Sequence, residues 1–336
     1  PSAEPSTCAA DHPRRTNVQI GLPPRPWCEL TEGRGRLISG TDDLAPAGTA
    51  ELLREACAAA GLDTRSPELI RAGENTLYRL PGGIVARVTR CGGAQVAAKE
   101  VQVSRWLVEA GVPVVEALAD PAQPVVIADR AVTFWRELPP HREGTPAEVA
   151  DLLRQLHALP PPMGFALPEL APFVRLAERI TAATTLDERD RAWLQDRLAQ
   201  LEQRYQHLPP GLPRCAIHGD PWAGNVAVTV TGPVILDLER FAIGPSEWDL
   251  ASVAVNYTTF GNVSADEWAD FCRHYGSDVT RWFGFKILRD IRELRRVTFA
   301  FQMADQHPHV REHARYRLAC LQGRHGGRPW RWHSVP

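Results

Sequence analysis

The chain has 336 residues, of which 44% are hydrophobic and 23% are charged, a composition ordinary for a soluble globular protein of about two domains. Its formal net charge of -2 gives the whole chain no means of recruiting nucleic acid or an anionic membrane surface. No apolar run approaches the ~20 residues of a membrane span, and the seven scattered cysteines form no C-x-x-C pair. These features predict a cytoplasmic protein with no disulfide framework, zinc site, nucleic-acid partner or membrane partner.

The first 45 residues are rich in proline, glycine, serine and threonine, and they show weak periodicity. We expect residues 1–45 to form a poorly ordered extension. The apolar residues within 19–30 are the exception, and this segment is a candidate for docking on the body of the protein.

Residues 46–138 have the pattern of a small lobe rich in strands. Two short strand-like runs flank the turn 81–83, which predicts a hairpin. A helix is expected over 94–110, and 131–138 is typical of a last strand. Two prolines then break regular structure, so we place the lobe boundary near residue 139.

Residues 139–336 are predicted to be mainly helical. Helices are expected over 170–183, 186–205, 248–257, 264–275, 282–303 and 310–321. The helix 282–303 carries four arginines, which we interpret as a solvated face: Arg289, Arg292, Arg295 and Arg296.

A chemical motif lies within residues 215–250. An HGD tripeptide ends at Asp220 after a short apolar run, Asn225 follows five residues later, and Asp237 ends a second apolar run. The turn at 229–234 folds the two runs together and returns Asp237 beside Asn225. Phosphoryl transfer needs a carboxylate near the acceptor hydroxyl and hard oxygen ligands for Mg²⁺. We therefore predict an ATP-dependent phosphotransferase with Asp220 as base and Asn225 and Asp237 as metal ligands.

Phosphoryl transfer also needs a cation that neutralises the phosphates. Arg87 lies on the second strand of the predicted hairpin, and Glu100 lies on the helix that follows. We predict that Arg87 contacts the phosphates of ATP and that Glu100 holds it in place. The small polar turn 72–76 could lay backbone N–H groups over the phosphates, and a plain surface turn is the alternative.

The segments IHGDPWAGNV, ILDLER and IGPSEWDLA carry a resemblance to a known family. Over about residues 46–330, the chain resembles the aminoglycoside phosphotransferases, whose fold is that of the protein kinases. The resemblance implies an α+β, bilobal fold, with a small antiparallel sheet in the N-lobe and a mainly helical C-lobe. It also implies ATP and Mg²⁺ as cofactors.

The resemblance further implies roles for individual residues. Asp220 would be the catalytic base, Asn225 and Asp237 the Mg²⁺ ligands, and His218 and Asp249 structural supports of the catalytic loop. The hinge that meets adenine would comprise Arg136, Glu137 and Leu138. The loop that covers the phosphates would comprise Gly73, Glu74, Asn75 and Thr76. Trp222 is similar to its counterpart in the fructosamine-kinase branch, and Glu239 would reach a second metal or only its surroundings.

The sequence departs from the kinase pattern in three places, one of which is Leu238-Glu239 where the kinases have Phe-Gly. Arg87 stands where kinases commonly have lysine, and the two side chains are not equivalent in shape or hydrogen bonding. The covering loop lacks the glycine-rich pattern of the kinases.

The acceptor is left open by the sequence. From residue 256 onward there are 13 basic against 8 acidic side chains, which mildly disfavours a polycationic aminoglycoside. The first hypothesis is an O-phosphotransferase for a small-molecule hydroxyl, either on an antibiotic, which would confer antibiotic resistance, or on a metabolite. The alternatives are a kinase for Ser or Thr of a peptide and a catalytically weak nucleotide-binding module.

Overall fold

The computed structural model describes residues 46–73 and 75–332. The predicted extension of residues 1–45, its docking candidate 19–30, and Glu74 lie outside the described residues. None of the helices in the described ranges is long and apolar enough to cross a bilayer. Every cysteine in those ranges is a free thiol.

The N-terminal lobe is built on an antiparallel sheet of five strands. These are β1 (Glu68–Arg71), β2 (Thr76–Leu80), β3 (Ile84–Val88), β4 (Val125–Ile127) and β5 (Arg130–Arg136). Their spatial order is β1-β2-β3-β5-β4. Leu80 pairs with Ile84 across the turn 81–83, which confirms the predicted hairpin.

Helices cover both faces of this sheet. Helix α1 (Pro46–Ala60) buries its apolar side against one face, together with Phe134. Successive strand residues point to opposite faces of a sheet. The neighbouring Trp135 therefore lies on the opposite face, where it belongs to the main hydrophobic core together with α2 (Ala94–Glu109). The sheet therefore fixes α2, which carries Glu100, on the side that faces the second lobe.

The two lobes are joined by backbone hydrogen bonds as well as by the chain. The N–H of Val115 donates to the carbonyl of Ile235 at 2.9 Å, and the N–H of Ile235 donates to the carbonyl of Pro113 at 3.0 Å. The segment 113–115 thus forms a parallel bridge with the strand that precedes Asp237.

The C-terminal lobe is mainly helical, as predicted. Its helices are α3 (Pro146–His157), α4 (Leu176–Ala182), α5 (Glu188–Gln206), α6 (Glu247–Val255), α7 (Ala265–Tyr275), α8 (Phe285–Gln306) and α9 (Arg311–Leu321). Two small sheets accompany them, formed by β6 (Arg142–Glu143), β7 (Arg214–Ile217), β8 (Val226–Thr229), β9 (Gly232–Ile235) and β10 (Ala242–Pro245). Strand β7 pairs with β10, and the other sheet has the order β6-β8-β9. Helices α6 and α8 pack against each other.

The prediction of a solvated arginine face on α8 is wrong. Arg292 and Arg295 are buried, with 7% and 3% of their surface exposed. Arg295 donates to the carbonyl of Pro172 at 2.8 Å, and Arg289 pairs with Asp290 at 2.9 Å. Because these cations have partners inside the protein, the basic surplus of the C-terminal region gives no measure of the charge of the acceptor pocket.

The helix predicted over 170–183 is also wrong in its first half. Helix α4 begins only at Leu176. Pro172 disfavours helical backbone in the residue before it, and Arg175 adopts the left-handed conformation with φ 64°. This segment instead approaches β10, where the N–H of Leu170 donates to the carbonyl of Ile243 at 2.9 Å.

The end of the described chain packs onto the C-terminal lobe. Trp330 and Trp332 are buried and stack on each other, with ring centroids 5.4 Å apart. Arg328 donates twice to Glu293 of α8, each bond 2.6 Å long. The segment after α9 is therefore irregular but held to α8 by the ion pair of Arg328 with the buried Glu293.

Candidate functional site

The HGD tripeptide forms a tight turn directly after β7. Gly219 has φ +88°, and a Cβ there would lie 2.3 Å from the carbonyl oxygen of Arg240. Only glycine can therefore occupy this position without a shift of the backbone. The turn directs Asp220 away from the strand and toward Arg292 of α8.

Asp249 of α6 holds the backbone of this turn by hydrogen bonds. Its carboxylate, which is fully buried, accepts from the N–H groups of His218 at 2.7 Å and Gly219 at 2.8 Å. His157 of α3 also contacts it, at 3.2 Å. Burial alone would raise the pKa of Asp249, but the hydrogen bonds from His157 and Gly219 bring it below its ordinary value. Asp249 is thus an ionised acceptor for the backbone of the turn at His218 and Gly219.

The side chain of His218 faces inward. Its Nε2 lies 2.9 Å from the carbonyl of Leu236, and its ring packs against Phe241. Burial lowers the pKa of His218, so the ring is neutral at physiological pH. His218 therefore connects the turn to the strand that leads to Asp237.

The two carboxylate oxygens of Asp220 have different surroundings. Oδ1 accepts from Nη1 of Arg292 at 3.0 Å. Oδ2 is buried and has no hydrogen-bond partner among the described residues. A buried acceptor without a partner costs free energy, so Oδ2 is the carboxylate oxygen left for a further hydrogen bond.

A short 3₁₀ turn at Ala223–Asn225 follows Asp220. Nδ2 of Asn225 donates to the carbonyl of Asp220 at 2.9 Å, which turns its amide oxygen to other partners. The ring of Trp222 packs over Gly224, where a Cβ would lie 2.1 Å from it. Nε1 of Trp222 is buried and finds no partner in the part of the chain that the structure describes.

The hairpin of β8 and β9 returns the chain to this turn, as predicted. Val226 pairs with Ile235, and the N–H of Leu236 donates to the carbonyl of Asn225 at 2.9 Å. Asp237 comes next, in a left-handed conformation with φ 54°. A non-glycine residue in this region is strained, and such strain clusters at functional sites.

Asp237 lies among like charges. Burial and, second to it, the carboxylate of Glu239 raise the pKa of Asp237 to about 6, and Asp220 adds to the effect. Arg87 opposes the rise. Several buried carboxylates around one position are the electrostatic setting that a divalent cation relieves.

Arg87 of β3 is held by Glu100 of α2. Nη1 of Arg87 lies 2.7 Å from Oε1 of Glu100, and Glu239 lies at 4.0 Å on the other side. Burial raises the pKa of Glu100 and acts against charge on both partners. The carboxylates of Glu100 and Glu239 nevertheless raise the pKa of Arg87 above its ordinary value, so the guanidinium is the permanent cation of the site.

Lys99, the neighbour of Glu100, holds the segment after Asp237. Its Nζ donates to the carbonyl of Phe241 at 3.1 Å and to the carbonyl of Glu239. Consecutive residues of α2 therefore hold Arg87 and the backbone that follows the predicted metal ligand.

The residues predicted around the nucleotide lie at the start of β2 and at the end of β5 in the N-terminal sheet. Thr76 begins β2 and is buried, whereas Gly73 is exposed in the turn before it, with Asn75 between them. At the predicted hinge, the N–H of Glu137 donates to the carbonyl of Gly83 at 2.8 Å.

The side chains of the hinge point to surface partners. Arg136 contacts Glu116 at 3.1 Å, and Glu137 accepts from Arg79 at 2.6 Å. Contact with adenine would therefore come from the backbone, including that of Leu138, and not from these side chains.

Asn225 and Asp237 fit a magnesium ion whose other ligands are phosphate oxygens and water. Within the described ranges, no group of three or more His, Cys, Asp or Glu side chains could hold a metal alone. Mg²⁺ is commonly bound by one or two protein oxygens, with phosphate and water completing its shell. Asn225 and Asp237 supply such oxygens, and the raised pKa of Asp237 shows that negative charge there lacks compensation.

Sequence reasoning missed three residues that contact the site: Lys99, Arg292 and Trp248. Trp248 donates from Nε1 to the carbonyl of Gly219 at 2.8 Å. Arg292 belongs to a helix 72 positions after Asp220. The one available signal was that Lys99 is one of only two lysines in the chain.

The sequence pattern of the phosphotransferase enzyme family matches residues 71–291, about two thirds of the chain. This range includes Arg87, Glu100, Asp220, Asn225 and Asp237. No protein of curated function matches the chain in sequence.

Solved structures of several kinases share the fold. A choline/ethanolamine kinase family protein from Mesorhizobium loti has a TM-score of 0.58 and 21% identity, over 82% of this chain and 94% of that one. Choline kinase from Streptococcus pneumoniae has 0.58 and 17%, over 81% and 99%. Spectinomycin phosphotransferase, solved with ADP and spectinomycin, has 0.56 and 16%, over 84% and 94%. At these identities the likeness is one of fold, and the fold is the bilobal protein-kinase-like one that the sequence predicted.

Proposed function

The chain belongs to the phosphotransferase enzyme family and is an enzyme of the kinase class, and from this premise we propose that it transfers the γ-phosphate of ATP to a hydroxyl of a small molecule. The observation that supports this proposal most directly is the buried, unpartnered Oδ2 of Asp220 beside the turn that carries Asn225. A carboxylate oxygen in this state is ready to accept the proton of an alcohol.

Asp220 is the proposed base. Its backbone is fixed by the turn at Gly219 and by the hydrogen bonds that Asp249 accepts. Positioning of this kind is most of what phosphoryl transfer asks of a protein, because the transition state is loose and needs little covalent help.

Asn225 and Asp237 are the residues that would hold Mg²⁺. When bound with the nucleotide, the ion neutralises charge on the transferring phosphate. The two residues lie at the ends of the strands that pair as one hairpin, so the backbone fixes their separation. Asp237 must be ionised to serve as a ligand.

Arg87 is the proposed phosphate-binding cation, with Glu100 as its support. A guanidinium can contact two phosphate oxygens at once, whereas an ammonium acts as a point charge. The turn 72–76 before β2 would cover the phosphates, and the backbone of 136–138 would meet adenine.

The acceptor is proposed to be a small molecule, either an antibiotic or a metabolite. The support is the shared fold with enzymes named for choline and for spectinomycin. The positive balance of the C-terminal region does not decide the charge of the acceptor, since Arg292 and Arg295, two of its cations, are buried within the lobe.

A screen with γ-labelled ATP tests the proposal. Acceptors should include aminoglycosides, other hydroxylated antibiotics, amino alcohols, sugars and Ser/Thr peptides. We expect Mg²⁺-dependent labelling of a small molecule. Labelling of a peptide and of no small molecule would overturn the proposed acceptor class, and nucleotide binding without transfer to any acceptor would favour a binding module.

A further inference from the structure

We propose that Arg292 is a positioning residue for the base: it holds the Asp220 carboxylate by one oxygen so that the other faces the acceptor hydroxyl. The inference rests on the proposed role of Asp220. Arg292 lies outside the segment 215–250 and on a helix that belongs to the packing of the C-terminal lobe.

The guanidinium of Arg292 is held from several directions. Nη1 donates to Oδ1 of Asp220 at 3.0 Å, and Nη2 donates to the carbonyls of Gly219 at 3.1 Å and Trp248 at 2.9 Å. Its carbon lies 4.1 Å from the centroid of the Trp248 ring. A planar group with this many contacts in a buried position has one orientation.

Trp248 also holds the peptide between Gly219 and Asp220. Its Nε1 donates to the carbonyl of Gly219 at 2.8 Å, so that this oxygen accepts from both Trp248 and Arg292. The Arg292–Trp248 pair thus fixes the peptide before Asp220 and the side chain of Asp220 together. Lysine could not replace Arg292 here, because an ammonium lacks the planar fork that reaches two acceptors while stacking on indole.

The two carboxylate oxygens of Asp220 therefore have different roles: Oδ1 binds Arg292, and Oδ2 is left for the acceptor. Rotation of the Asp220 carboxylate would break the bond to Arg292, so the pair keeps Oδ2 as the oxygen without a partner. A general base must lie within hydrogen-bond reach of the proton that it accepts, and a small misplacement is costly. Arg292 would therefore contribute to turnover and not to nucleotide affinity.

The alternative is that Arg292 serves only the folded state, because its removal would leave the buried charge of Asp220 uncompensated. The two roles differ in their dependence on Asp220. A positioning effect on the rate vanishes when the base is absent, whereas a loss of folded protein lowers the rate by the same factor in every background.

The experiment compares Arg292→Lys, Arg292→Met, Asp220→Asn and the double variant Arg292→Lys/Asp220→Asn. We expect Arg292→Lys to lower kcat by about 10–10²-fold, with the Kd for Mg-ATP changed less than about twofold, and Arg292→Met to lower it at least as much. Single-turnover rates with excess enzyme should be equal in Asp220→Asn and the double variant. Arg295→Lys, a buried neighbour on α8 that donates to Pro172, is the matched control and should keep the wild-type kcat.

Thermal melting of each variant identifies those that fold, and Arg292→Lys, which keeps the charge, tests the idea if Arg292→Met does not fold. Wild-type kcat in Arg292→Lys, or an equal fold-loss in both backgrounds, would overturn the positioning role. These outcomes are separate from failure of the proposed function, which would appear as undiminished turnover in Asp220→Asn itself.

Discussion

Nη1 of Arg87 lies 2.7 Å from Oε1 of Glu100, and this ion pair joins the central strand of the N-terminal sheet to the helix that faces the second lobe. Glu100 is almost fully buried, so the carboxylate serves Arg87 and not the solvent. The pair fixes where the permanent cation of the site points.

Glu100→Gln should weaken Mg-ATP binding about tenfold, because a charge-assisted hydrogen bond to Arg87 becomes a neutral one and the guanidinium is less restrained. Calorimetric titration of the nucleotide measures the change. Glu68→Gln is the control, since Glu68 pairs with Arg79 at the exposed edge of the same sheet, where ion pairs contribute little. An unchanged Kd in Glu100→Gln would contradict the supporting role.

Magnesium affinity should fall as the pH is lowered through about 6, the value to which burial and Glu239 raise the pKa of Asp237. A protonated carboxyl is not a ligand, so below this pH each Mg²⁺ ion must displace a proton, and above it the affinity reaches a plateau. Titration of Mg²⁺ into the enzyme–nucleotide complex measures this pH dependence. The titrations run between about pH 5 and 8, where most proteins are stable.

The nucleotide titrates in the same range, so its own Mg²⁺ affinity is measured in the same buffers without enzyme and subtracted. Asp237→Asn should bind Mg²⁺ more weakly and lose the remaining pH dependence. If the corrected affinity of the wild-type protein were independent of pH, Asp237 would not be the titrating ligand.

Arg328→Ala should lower the free energy of unfolding by up to about 3 kcal/mol, because it leaves the buried Glu293 with fewer partners. Thr259, which donates to Glu293 at 2.6 Å, keeps the loss from being larger. Denaturant unfolding measures the effect, and Arg324→Ala, an exposed arginine of the same segment, should change it little. A stability equal to that of the wild type would mean that the tail does not anchor α8.

The sequence predicted the parts of the site that local structure assembles. Asp220, Asn225 and Asp237 lie within one turn and one hairpin, and hairpin pairing follows from short apolar runs around a turn. The pair of Arg87 and Glu100 was also accessible, because a strand and the helix after it are neighbours in the chain.

What the sequence could not predict depends on distant contacts. In the sequence, Arg292 is one of four arginines on a predicted helix. Because arginine is rarely buried without a partner, a solvated face was the ordinary expectation. Its partner, Asp220, lies 72 positions away. The late start of α4 had a local sign, Pro172, but the left-handed Arg175 depends on how this segment packs beside β10.

Comparison of the wild-type protein with Asp220→Asn, on an acceptor found by the labelled-ATP screen, shows whether Asp220 is the base. We expect kcat to fall by about 10²–10⁴-fold, with Mg-ATP binding retained, because the amide keeps the shape of the side chain but cannot accept the proton. Turnover of Asp220→Asn equal to that of the wild-type protein would contradict the assignment of Asp220 as the base.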